Sequence, residues 1–320
     1  MSTMPSPSAT APVAGNRRGW LGLTRLERIE AGWFYLLISP WLISFLGLSI
    51  GPVLTSLYLS FTRYDMANPA VWVGLDNYRR MFTEDPLFLQ SLKVTAIWVF
   101  GGLPLRLAVA LFFAVLLNQR VPGMGIFRTI YYLPSVVSGV AVALLWMWLL
   151  QPQFGILNFF LRSVGLQGPA WLSSPQWALP GFIVMSLWST GATMIIFLAG
   201  LQGIPLELYE AAEIDGAGKV RQFFAITIPL ITPVILFNLV IGIIHSFQVF
   251  TQAFVMTNGG PVNATLFYVL YMYRVAFQYS QMGYASAMAW VLFIIVLVLT
   301  LMVFRSSDRW VYYEGGVKGR

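Results

Sequence analysis

Apolar residues in this chain fall in long, nearly unbroken runs, not at helical or strand period. Six runs, near residues 31–52, 92–117, 129–150, 178–201, 226–256 and 284–304, carry almost no charge. A helix needs about 20 mostly apolar residues to cross a bilayer, and each run has that length. Backbone N–H and C=O groups find no partners in lipid, so each run is expected to be a helix. No alternation of a barrel strand is visible. The pattern predicts an all-α integral membrane fold with six spanning helices, joined by loops whose Trp and Tyr suit the membrane interface.

Composition sharpens this picture. The chain is 58% hydrophobic and 10% charged, whereas soluble domains are about one quarter charged. It has no Cys and one His, which excludes thiolate catalysis, zinc–sulfur sites and a His-rich metal centre. The net charge of +7 calls for no nucleic acid. With the amino terminus inside, twelve Lys and Arg fall on cytoplasmic segments, six fall outside, and Arg106 lies within a span. That bias places both termini in the cytoplasm. Residues 1–28, polar and then basic (Arg17, Arg18, Arg25, Arg28), read as a disordered tail without a signal-peptide cleavage site. Residues 29–305 read as one six-helix domain, with a loop at 205–226, and 306–320 as a second tail.

A polar, small-residue segment, Glu210 to Pro233, separates two of the apolar runs. Pro205 suits a first helical turn, and Glu207 and Glu210 favour the positive end of that helix. Ala211 and Ala212 leave a low surface that another protein can approach. Gly216 permits a turn that a side chain would hinder. Phe223 and Ile226 can anchor a second helix, and Pro229 and Pro233 bend the start of the fifth run. On these residues alone the segment is a docking element, a cover for the bundle or a catalytic loop.

Polar side chains inside spans are functional candidates. At about 100° per residue, Asn238, His245, Gln248 and Gln252 share one face of the fifth run. Ser186, Ser189, Thr190 and Thr193 share one on the fourth. Two such faces suit a hydroxyl-rich solute, with Trp188 and Phe247 as an aromatic surface. They equally suit packing between helices. A lone His245 with no carboxylate nearby makes a poor proton relay. Arg106 is expected to face a partner subunit or to snorkel, and less readily to meet an anionic solute.

Residues 210–233 closely resemble the cytoplasmic loop of permease subunits in binding-protein-dependent ABC importers. Glu210-Ala211-Ala212, Gly216, Ile226 and Pro229 stand at the family spacing; Asp215, Ala217, Phe223 and Pro233 match the form in sugar permeases. Val73 to Tyr78, Phe127 to Pro134, Thr257 to Pro261 and Tyr271 to Phe277 resemble the same carbohydrate branch, typified by maltose and glycerol-phosphate permeases. The resemblance implies the type I importer fold, with Glu210, Ala211, Ala212, Asp215, Gly216 and Ala217 as a coupling helix docked on an ATPase dimer. It also implies a second, homologous permease and an extracytoplasmic binding protein. Asn258, Gly259, Gly260 and Pro261 belong to the outer surface that would meet that binding protein. No Gly-x-x-x-x-Gly-Lys-Ser/Thr phosphate loop occurs, so ATP and Mg are expected on the partner ATPase and no cofactor on this chain. The expected role is the non-catalytic sugar permease of a bacterial or archaeal cytoplasmic membrane. An ion-driven secondary transporter would need intramembrane carboxylates, and an intramembrane enzyme a catalytic dyad; the spans show neither.

Overall fold

The computed structural model describes residues 24–119 and 121–312. Most of the amino-terminal tail, Arg120 and the last eight residues lie outside it. Four helical segments among the described residues are long and apolar enough to cross a membrane: Leu26–Ser60, Pro86–Leu117, Thr232–Met256 and Met282–Ser307. Two bent pairs, Met124–Val136 with Gly139–Leu149 and Pro175–Trp188 with Gly191–Gln202, bring the number to six if each pair is one crossing. The third and fourth expected spans are therefore not single helices. They bend by 99° and 48° at their breaks. Hydropathy sees the apolar run but not Pro134 and Gly139, which interrupt the first pair, nor the turn at Ser189–Thr190 in the second.

The chain divides into two units, at Ser56 and Leu57. In the first, helix formation starts earlier than expected, at Arg25. Thr24 and Glu27 form a reciprocal capping box that satisfies two otherwise orphaned N–H groups. The helix buries none of its apolar window.

In the second unit, a two-stranded ribbon pairs Thr62 with Trp72. Asn77 Nδ2 donates to the Ser60 and Thr62 carbonyls, at 2.9 Å each, and the Tyr78 hydroxyl to Ser60. Asp85 then caps the second span by accepting from the Leu87 and Phe88 amides. It also accepts from the hydroxyls of Tyr271 and Tyr284, both at 2.6 Å.

The second span carries a π-turn at Trp98–Gly102. Pro104 explains it: proline has no N–H to give the preceding turn and its ring crowds that turn's carbonyl. One buried cluster, including Phe88, Phe182, Phe267, Tyr268 and Met288, packs this span against the Pro175–Trp188 and Met282–Ser307 helices. A second, including Ala110, Ala114, Met194, Phe197 and Ile231, joins it to Gly191–Gln202. Ala110 and Ala114 are one turn apart, and such small residues let membrane helices approach closely.

Candidate functional site

Beside the first of these clusters lies a cavity of about 450 Å³, with Trp98, Leu103 and Phe182 on its wall. Ser186, Thr190, Thr193, Asn238, His245, Gln248 and Gln252 all line it, together with Ser189 and Ser246. Trp188 does not: its ring sits 6.2 Å from that of Trp146, beside a different cavity. Phe247 is buried in the core. The polar face of the fifth run is also not one helical stripe. The regular helix Thr232–Phe247 stops, and Thr251–Met256 resumes after a turn at Gln248–Phe250. Gln248 and Gln252 reach the cavity because of that turn. Asn238 and Ser186 each donate to a carbonyl of their own helix, which leaves their oxygens as acceptors.

Arg106 does not snorkel but lines the same cavity. Its guanidinium turns into the cavity, where Nη2 donates to Ser246 Oγ at 2.6 Å and Cζ lies 4.7 Å from the centroid of the Trp98 ring. Gly242 makes this possible. A Cβ there would run into Leu103 Cδ1, so glycine lets the second and fifth spans close up until Arg106 reaches Ser246. Trp98 and Ser246 were not singled out from the sequence. The cluster Gly101, Gly102 and Pro104 was the available signal of an irregular backbone beside Trp98.

The Glu210–Pro233 segment is exposed and tightly formed. Its helix runs Leu206–Ile214. The Ala217 amide donates to the Ala212 carbonyl at 2.8 Å and the Gly216 amide to Glu213 at 3.0 Å, a pair of bonds that closes a helix end through a left-handed residue. That residue is Gly216, at φ +76°. Lys219 pairs with Glu213 and holds its carboxyl below the ordinary value through their hydrogen bond. Gln222 donates to the Ala217 carbonyl, and Tyr209 meets Thr227. Glu210, Ala211, Asp215 and Gly216 are exposed, while Ala212 and Ala217 are half-buried. Ile214 is 87% exposed, an apolar side chain left uncovered beside them.

On the other loops, Arg274 donates to the carbonyl and the side chain of Asn258. Thr265 Oγ1 bonds Thr257 and the Gly260 carbonyl at 2.6 Å each. The Asn258–Pro261 turn is therefore a fixed surface.

Apolar spans, broken helices around a polar cavity and an exposed helical loop define a multi-pass membrane transport permease. The chain belongs to the family of binding-protein-dependent transport system inner membrane components, whose model matches residues 90–311. It is 48% identical over 88% of its length to the probable ABC transporter permease protein YesP of Bacillus subtilis, covering 92% of that protein. It is 33% identical over 83% to the arabinooligosaccharides transport system permease protein AraP of Halalkalibacterium halodurans, covering 85%. Its structure is similar to a chain of a bacterial ABC transporter involved in the import of the acidic polysaccharide alginate. The TM-score is 0.77 and the identity 27%, covering 89% of this chain and 98% of that one. The resemblance read from the sequence is upheld: the fold is that of a type I importer permease, of the kind that serves sugar-type substrates.

Proposed function

We propose that this chain is the first of two paired permeases in an importer for a sugar or related polyol. An extracytoplasmic binding protein delivers the solute to the Asn258–Pro261 side, and ATP hydrolysed with Mg on a separate ATPase dimer drives transport. Glu210, Ala211, Ala212, Asp215, Gly216 and Ala217 dock on that dimer, and both termini lie in the cytoplasm with them. The chain itself holds no catalytic group or cofactor. The carrying observation is the cavity. Neutral donors and acceptors from two broken helices converge there, a lining that suits hydroxyl groups because each can give and take a hydrogen bond. The rigid, exposed helix that ends at Gly216 supports the coupling role, since a power stroke made elsewhere must enter through a stiff element. An alginate transporter similar to this chain is known in complex with a pentasaccharide-bound periplasmic protein, which supports the delivery step.

The test is purification of the chain from its host in mild detergent, followed by reconstitution. Co-purification of an ATPase and a second permease, with uptake that stops when ATP is withheld, is the expected result. Uptake by the chain alone, unchanged without ATP, would overturn the reading.

A further inference from the structure

Among the described residues, Arg106 is the one formally charged side chain that lines the cavity, and His245 is the only other group there that ionises. The remaining polar lining is Ser, Thr, Asn and Gln. Among the described residues no Asp or Glu lines the space. The guanidinium has only neutral company: the Ser246 hydroxyl, the Gly102 carbonyl at a long 3.4 Å and the Trp98 ring. A guanidinium carries five N–H donors in a flat fork. Those two hydrogen bonds use one from Nη2 and the one on Nε, so Nη1 is left with both of its own. A cation held in a membrane span without a counter-charge is costly, and the cost falls when an anion enters. A carboxylate fits the fork with two parallel hydrogen bonds, and the Trp98 ring, 4.7 Å from Cζ, packs against the guanidinium that offers it.

We propose that the solute is an acidic saccharide, bearing a uronate-type carboxylate, and that Arg106 is the residue that binds this group. The inference rests on the cavity being the transport path. The Ser, Thr, Asn and Gln side chains take the hydroxyls of the same sugar, so charge is read on one wall and hydroxyls on the others.

The experiment uses the whole importer in proteoliposomes with its binding protein. It is offered two mixtures: oligomers of galacturonate, mannuronate and guluronate, and neutral oligomers of arabinose, galactose and glucose. The expected result is ATP-dependent uptake from the acidic mixture. Arg106→Gln lowers that uptake by at least about tenfold, the scale of a lost charged hydrogen bond. Arg106→Lys retains a measurable part, and Ser246→Ala, which keeps the charge but removes one lining hydroxyl, costs only the few-fold of one neutral hydrogen bond, well short of the loss in Arg106→Gln. Uptake from the neutral mixture alone overturns this inference and leaves the importer standing. So does wild-type uptake of the acidic oligomers by Arg106→Gln. Equal loss in Ser246→Ala and Arg106→Gln makes Arg106 a structural strut and also overturns it. Uptake from neither mixture under ATP sinks the importer reading itself.

Discussion

Gly242 and Leu103 touch where the second and fifth spans cross, and a single added carbon on Gly242 would occupy the place of Leu103 Cδ1. Overfilling a packed contact costs about 1–3 kcal/mol. Gly242→Val should therefore lower the thermal midpoint of the purified complex, and Gly242→Ala should do so less. Because Leu103 is the obstacle, Leu103→Ala should restore part of the loss in the double variant. Additive effects of the two changes, measured by thermal unfolding in detergent, would count against a direct clash.

Gly216 holds a left-handed backbone at the end of the Leu206–Ile214 helix. A β-branched residue strains there by about 1–2 kcal/mol, whereas Asn tolerates the conformation better. Gly216→Val is expected to weaken substrate-stimulated ATP hydrolysis in the assembled importer, and Gly216→Asn to weaken it less. Equal activity in both variants would remove the turn from the coupling role.

Gln248 lines the cavity and Trp188 does not. Loss of one neutral hydrogen bond is worth about 1 kcal/mol, so Gln248→Ala should slow uptake several-fold with the complex intact. Trp188→Phe should leave uptake near the parent rate. Initial rates in proteoliposomes decide between them; if the Trp188 change were the more harmful, the path would run elsewhere.

Asp85 accepts four hydrogen bonds, two from the start of its own helix and two from tyrosines. Removing a helix cap costs about 1 kcal/mol, and each tyrosine hydroxyl left without a partner adds to that. Asp85→Ala should lower the thermal midpoint by more than Tyr271→Phe does, because the phenylalanine leaves the cap and one tyrosine in place.

The apolar runs were legible because lipid imposes length and closure on every span, and the four segments long enough to cross follow from that rule alone. The Glu210–Pro233 segment was legible because charge, glycine and proline in that order have few uses between two spans. The breaks at Ser189–Thr190 and Gln248–Phe250 were not. Nothing in Ser-Thr or Gln-Val-Phe forces a helix to stop, and the turns arise from tertiary packing. Gln248 was named on a helical face that does not exist, and it lines the cavity through a turn instead. The direction of Arg106 within the chain was not legible for a related reason. Which way a long side chain points depends on how close Gly242 lets a neighbouring helix come, and hydropathy does not encode distance.

The two turns have one more consequence. Where a helix stops, its last carbonyls lose their partners along the chain, and irregular backbone at membrane depth is tolerated where it lines a cavity. The turn residues Ser189, Thr190, Gln248 and Val249 all line the cavity, which puts the interrupted backbone beside it. Peptide oxygens cannot be removed by exchanging one amino acid for another. A transporter stripped of every polar side group in this chamber would therefore keep a residual grip on hydroxyls, and its repertoire would blur before it vanished.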